Sequence, residues 1–307
     1  MSELKLAGLD GSNPLAFLAA LGVLRAADDQ VRGVRLSWRE EGIWFPVLHD
    51  FDGDLDALLD LLEADLQDCA DDPALALIYA SKEEEVPTER DLKPPPAVFR
   101  QYLETLVEGA TADHRRSVDW AAAFASDVVT DLGGKTKPSA LHFTAGQQKF
   151  LGMVHQILEQ GQREDLEEAI CGPWLYDRNL PVLGWDNTVS RDYALRARDP
   201  STDQKCGVPG ADWLALRGLS FLVVVPRGDR LLTTCCTGGW KSGLFRWPLW
   251  TPPLPSEVIG SLLRCDMTRM SIQERLARGV GVTFECSIRR SDQGGYGSFT
   301  PSRPLVG

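Results

Sequence analysis

The sequence predicts an α+β fold, with helices concentrated in the N-terminal half and strands in the C-terminal half. Up to residue 170, apolar residues recur mostly at the spacing of amphipathic helices. After Gly172, glycine, proline and tryptophan become frequent and the helical periodicity fades. No internal repeat is visible. We therefore expect an acidic, helix-rich part at 1–170 and a basic α+β part at 171–307, either as two units or as one continuous domain.

The N-terminal segment predicts a short strand over Lys5 to Leu9, followed by a capped helix. Asn13 suits the N-cap, and Pro14 suits the first helical position, where its missing N–H costs nothing. Leucines then repeat at helical spacing, at Leu15, Leu18, Leu21 and Leu24. The glycines before the helix match neither the dinucleotide-binding pattern nor the P-loop. We therefore favour a capped core helix here over a phosphate site.

The other elements follow from periodicity and turn residues. In the acidic part the pattern predicts a hairpin over 34–48 that turns at Glu41–Gly42, helices over 54–69, 97–108, 113–131, 147–160 and 162–171, a strand ending at Thr144 and a charged linker over 81–96. In the basic part it predicts an antiparallel pair over 219–226 and 230–237, a helix over 255–264 capped by Ser256, and a strand over 281–290.

The charge of the chain is unevenly distributed. The net charge is −12, but residues 1–170 carry 15 basic and 32 acidic side chains, and residues 171–307 carry 17 and 12. The acidic part should be repelled by nucleic acid, whereas the basic part can present local patches to phosphates. This asymmetry leaves two explanations open: a polyanionic partner for residues 171–307, or solvated faces of opposite charge.

Several function classes lack their signatures. No apolar run reaches the roughly 18 residues that cross a bilayer, and no secretion signal is visible, so we expect a cytoplasmic protein that does not bind membranes. The seven cysteines include no Cys-x-x-Cys pair, the four histidines are far apart, and no G-x-S-x-G motif occurs. We therefore expect no catalytic residue, no metal and no cofactor.

Three stretches instead mix basic and aromatic side chains, the combination that contacts phosphates and stacks on bases. Together with Lys149 they give these candidate nucleic-acid-binding residues: Lys149, Arg191, Tyr193, Arg196, Arg198, Trp240, Lys241, Arg246, Arg289 and Arg290. Trp247 and Trp250, beside Pro248, are better explained as core residues. For Trp240 the residues leave core and surface equally open.

Five stretches together resemble a known group of proteins. They are "GLDGSNPLAFLAALGVLRA", "LHFTAGQQKFL", "PVLGWDNTVSRDYALRARDPS", "GVPGADWLALRGLSFL" and "LFRWPLW". They are similar to proteins encoded beside type I CRISPR interference genes of the I-G (formerly I-U) group, which includes an effector subunit and a family related to an extension of the helicase-nuclease.

The resemblance implies a non-catalytic subunit of an antiviral effector complex, with guide RNA or target DNA and other effector subunits as partners. It assigns no binding residue. Two other classes stay open: a metal-dependent nuclease or other enzyme with a composite site, and an adaptor that binds only protein.

Overall fold

The computed structural model describes residues 2–80, 86–111, 114–188, 206–240, 242–291 and 296–305. Helices and strands are mixed along this part of the chain, and the fold is α+β. The helices are α1 (Pro14–Gln30), α2 (Leu55–Asp68), α3 (Pro96–Gly109), α4 (Arg116–Phe124), α5 (Phe150–Gln160), α6 (Arg163–Cys171), α7 (Pro209–Gly218), α8 (Ser256–Leu263) and α9 (Ile272–Ala277). Among the described residues, no helix has both the length and the apolar composition that crossing a bilayer requires.

In the described part of the chain, the strands form two larger sheets and three small antiparallel pairs. They are β1 (Glu3–Lys5), β2 (Arg35–Glu41), β3 (Ile43–His49), β4 (Tyr79–Ala80), β5 (Pro87–Glu89), β6 (Ala125–Thr130), β7 (Thr136–Pro138), β8 (Val224–Arg227), β9 (Arg230–Thr233), β10 (Cys236–Gly238), β11 (Gly243–Trp250), β12 (Val280–Arg290), β13 (Gly297–Phe299) and β14 (Arg303–Pro304). The first sheet has the order β1-β3-β2. The second has the order β10-β11-β12-β13, and β14 also pairs with β12.

Helix α1 is the central element of the core. Asn13 Oδ1 accepts a hydrogen bond from the Leu15 N–H at 2.9 Å, and Pro14 is the first helical residue, so the expected cap is confirmed. The helix is buried along most of its length and packs on α7. A Cβ added at Gly22 would lie 1.7 Å from the Leu214 carbonyl oxygen. Glycine at this position therefore lets the two helix backbones approach closely.

The two parts of the chain contribute to one hydrophobic core. Trp247 and Trp250, on β11, are buried as expected. Their indole N–H groups donate to the carbonyl oxygens of Gly11 at 2.8 Å and Leu36 at 2.7 Å. Strand β11 of the basic part therefore packs directly against the N-terminal segment.

Several predicted boundaries are wrong. The first strand is β1, at Glu3–Lys5, and it overlaps the predicted Lys5 to Leu9 only at Lys5. The helix predicted over 113–131 ends at Phe124, and the chain continues as β6 because the β-branched run after Asp127 favours a strand. Helix α8 begins after Pro255 as N-cap, and the Ser256 side chain makes no cap hydrogen bond.

The strand predicted to end at Thr144 is an irregular segment. Its buried backbone needs hydrogen-bond partners. The carbonyl oxygens of Ala140 and His142 accept from the guanidinium of Arg290, and the N–H of Ala140 donates to Thr233 Oγ1 at 2.9 Å. Side chains thus replace a neighbouring strand, which periodicity alone could not reveal.

Other predictions are confirmed. The hairpin of β2 and β3 turns at Gly42, whose φ of +81° favours glycine. Strands β8 and β9 form the core of the predicted antiparallel pair, with Arg227 opposite Arg230 across the turn. The stretch before β8 begins as a 3-10 turn at Leu219–Phe221, and β9 ends at Thr233, after which the chain forms β10 of the second sheet. Strand β12 covers the predicted late strand.

Candidate nucleic-acid interface

A cleft of about 620 Å³ lies between the β8–β9 hairpin, the loop from β10 to β11, the C-terminal end of α8 and the segment after β7. We call it the basic cleft. Six of the described cationic side chains line it: Lys137, Arg227, Arg230, Arg246, Arg264 and Arg290. Asp266 is the acidic residue among those that line it. The described lining therefore has a clear excess of positive charge, which attracts anions.

The loop between β10 and β11 places Trp240 at the cleft. Gly238 ends β10 with a φ of +87°, and a Cβ there would lie 2.6 Å from the Ser242 carbonyl oxygen. The chain therefore turns tightly before β11 begins at Gly243. The Trp240 side chain is 43% exposed. Trp240 is therefore a surface residue and not a core residue, the two alternatives that the sequence left equally open.

Arg290 lies beneath this indole. Its guanidinium carbon is 3.5 Å from the centroid of the Trp240 ring, an attractive cation–π geometry. Its two terminal nitrogens donate to the carbonyl oxygens of His142 and Ala140, both at 2.8 Å. Within the described residues no carboxylate pairs with it. Burial lowers the pKa of Arg290 to about 10, so the side chain stays charged at neutral pH.

A buried acid–imidazole pair fixes the carbonyl oxygens that hold Arg290. His142 Nε2 lies 2.9 Å from Asp91 Oδ1, which also accepts from the Phe150 N–H at 3.2 Å. Burial lowers the pKa of His142, against the attraction of the Asp91 carboxylate, and its Nε2–H donates to Asp91. Burial opposes ionisation of Asp91, but the coulombic attraction of His142 and hydrogen bonds from His142, Leu92 and Phe150 outweigh it and lower its pKa to about 2.

The other arginines that line the cleft differ in whether a carboxylate pairs with them. Arg246 Nε donates to Glu285 Oε2 at 2.8 Å, and Arg303 shares that carboxylate, so Arg246 contributes little free charge. The other three arginines of the lining, Arg227, Arg230 and Arg264, are exposed and form no ion pair with another described residue. They are the cations at the rim best placed to meet an anion.

The structure brings together only some of the residues predicted from sequence. Trp240, Arg246 and Arg290 line the basic cleft. Lys149 pairs with Glu89 and is not a lining residue. Arg289 is exposed and next to Arg290 on β12, so it points to the opposite face of the sheet. The other predicted residues, Arg191, Tyr193, Arg196, Arg198 and Lys241, lie outside the described residues.

Sequence reasoning missed Lys137, Arg227, Arg230 and Arg264. None of these has an aromatic residue beside it in sequence, which was the signal used. The predicted hairpin already placed Arg227 and Arg230 around one turn, so that pair was within reach. Lys137 and Arg264 come from distant elements, and only the fold brings them to the same cleft.

The cleft also contains thiols, at Cys235, Cys236 and Cys265. Burial raises the pKa of Cys235 to about 12, so this thiol is protonated at neutral pH and is a poor nucleophile. All seven cysteines are free. Within the described residues, no group of three or more His, Cys, Asp or Glu side chains is arranged to hold a metal ion. The chemistry that the described lining offers is anion binding and stacking.

Comparison with known proteins does not add a family to this geometry. Neither a protein-family model nor a curated protein matches the chain. The resemblance of the five stretches to type I-G CRISPR-associated proteins therefore stays a prediction.

Proposed function

We propose that this protein is a non-catalytic, nucleic-acid-binding subunit of a type I CRISPR interference complex, acting in the cytoplasm. The basic cleft contacts guide RNA or target DNA. The acidic part, residues 1–170, contacts the other protein subunits, since phosphates repel it. The nucleic-acid role is supported by the cleft, and the CRISPR setting is supported by the resemblance of the five stretches.

The observation that carries the proposal is the charge of Arg290, which no carboxylate among the described residues compensates. A partly buried guanidinium of this kind costs free energy, because desolvation disfavours the charged form. Its neighbours hold it by carbonyl oxygens and an indole face, neither of which neutralises it. A charge held in this way is suited to an anion that arrives from solution, and the exposed arginines at the rim extend the same surface.

The first test removes charge from the rim. Arg227→Ala, Arg230→Ala and Arg264→Ala are combined, and binding of labelled RNA and DNA is followed by anisotropy over a range of salt. We expect weaker binding and a salt slope shallower by about 2, since each lost phosphate contact to a single strand removes about 0.7 from the slope. Arg246 is unsuitable for this test because Glu285 already pairs with it.

A control removes the same net charge elsewhere. Arg115, Arg163 and Arg278 lie outside the cleft lining, and Arg115 and Arg163 pair with nearby carboxylates. Their combined alanine variant should bind like the wild type. Equal losses in the two triple variants would mean that only net charge matters, and would contradict the site. Cleavage of the labelled strands in Mg²⁺ or Mn²⁺ would contradict a non-catalytic role. CRISPR genes beside the coding gene are expected, and their absence would contradict the setting.

A further inference from the structure

The indole of Trp240 offers a flat surface to a ligand. Arg290 covers one face of the ring, at 3.5 Å from the centroid. Trp240 as a whole is nevertheless 43% exposed. That exposure must therefore lie mostly on the opposite face and on the ring edges. Because the guanidinium is bonded to two carbonyl oxygens, the ring rests on a fixed support and its free face is pre-oriented.

The surroundings of this face favour one kind of ligand. An exposed aromatic face beside exposed arginines matches how proteins bind single strands, with bases stacked on aromatic rings and phosphates on a cationic groove. In a duplex the base faces are already covered by their neighbours, so a duplex cannot use the indole in this way. An acidic peptide could pair with the arginines, but it would leave the indole face unused.

The size of the cleft agrees with this reading. Its volume of about 620 Å³ lies within the range of roughly 300 to 1,000 Å³ that is typical of pockets enclosing small ligands. It can hold a short unpaired stretch rather than a double helix. Arg227, Arg230 and Arg264 then lie at the rim, where the backbone of such a strand would leave the cleft.

We infer that the basic cleft binds an unpaired stretch of a nucleic-acid strand, with one base stacked on the free face of Trp240 and the adjoining phosphates on the rim arginines. This inference rests on the proposed nucleic-acid-binding function and narrows its ligand to single strands. It also gives Trp240 and the arginines separate roles: the indole selects unpaired bases, and the arginines supply affinity for any phosphate backbone.

The test uses the full chain and a strand of roughly 12 nucleotides, within the site sizes known for single-strand binders. The strand carries 2-aminopurine, whose fluorescence is quenched by stacking, and is used alone and annealed to its complement, as RNA and as DNA. We expect tighter binding of the single strand, with quenching. Trp240→Ala should weaken single-strand binding about tenfold, the loss of one stacked base, and leave duplex binding unchanged.

Two further variants separate stacking from folding. Trp240→Phe keeps an aromatic face and should retain most of the single-strand affinity and the quenching. Leu132→Ala truncates an exposed apolar side chain outside the cleft and should behave as the wild type. Urea unfolding of all three verifies that each is folded.

The outcomes distinguish this inference from the broader function. Equal affinity for single strand and duplex, or an unchanged single-strand affinity in Trp240→Ala, overturns the inference while leaving nucleic-acid binding intact. Binding of poly-glutamate but of neither nucleic acid overturns both.

Discussion

Asp91 does not line the basic cleft, but through His142 it fixes the position of Arg290, which does. Its carboxylate accepts from His142 Nε2 and from the first N–H of α5. His142 in turn has its carbonyl oxygen on Arg290, which supports Trp240. Asp91 is therefore a positioning residue, and its ionisation couples the stability of this region to pH.

Replacing Asp91 should remove a pH-dependent share of stability. Its folded pKa of about 2 is below the roughly 3.9 of an unfolded aspartate. Its contribution, about 2–3 kcal/mol, is therefore present above pH 4 and is lost as the pH falls from about 4 to about 2. In Asp91→Asn we expect a lower free energy of unfolding at pH 7, and a difference from wild type that shrinks below pH 4. Urea unfolding at several pH values measures this, and a pH-independent difference would contradict it.

Some elements could be predicted from the sequence, because the local chemistry that forms them is also visible in it. The cap at Asn13, the turn at Gly42 and the β8–β9 hairpin all depend on residues within a few positions of one another. The irregular segment up to Thr144 could not be predicted. Its conformation depends on distant partners, such as Arg290 for the carbonyl oxygen of Ala140.

The contact between α1 and α7 gives a sharp prediction for Gly22. An alanine Cβ would lie 1.7 Å from the Leu214 carbonyl oxygen, so the helices would have to separate. We expect Gly22→Ala to lower the free energy of unfolding by about 3 kcal/mol or more, at the upper end of overpacking effects. Gly109→Ala, at the end of α3 with open space around it, is the control and should be unchanged or stabilised by up to about 1 kcal/mol. Urea unfolding measures the free energy of unfolding of both variants, and a similar decrease in the two would refute the packing argument.

Across the whole molecule, one buried arginine links three helices. Arg217 of α7 is fully buried, and its Nε and one terminal nitrogen donate to the two carboxylate oxygens of Asp65 of α2, both at 2.9 Å. It also donates to Asp29 of α1 at 2.7 Å. This network joins residues that the charge asymmetry assigns to different parts of the chain.

Removing only the cation of this network should lower the free energy of unfolding. Arg217→Met leaves Asp65 buried without its cation, so we expect a loss of about 3–5 kcal/mol in the free energy of unfolding. Adding Asp65→Leu removes the stranded charge and should restore much of that loss, since apolar replacements of buried pairs are often tolerated. Denaturant titration of the single and double variants measures their free energies of unfolding. A double variant no more stable than the single one would contradict this account.

The charge asymmetry pointed to the basic part as the binding part, and the basic cleft lies mostly there. The sequence could not show which basic residues meet in space. Arg289 and Arg290 are neighbours in sequence but point to opposite faces of β12, while Lys137 and Arg264 are more than a hundred residues apart and line one cleft. Which distant residues meet at one cleft depends on the topology of the fold, and local sequence patterns do not reveal that topology.

The two indole hydrogen bonds from β11 to the N-terminal segment also determine the order of events during synthesis. Trp247 bonds a carbonyl 236 positions earlier in the chain, and Trp250 one 214 positions earlier. A ribosome must therefore deliver the residues up to Trp250 before these two bonds can form and the core around α1 can close. Until then the apolar surface of α1 lacks part of its native cover and is open to non-native contacts.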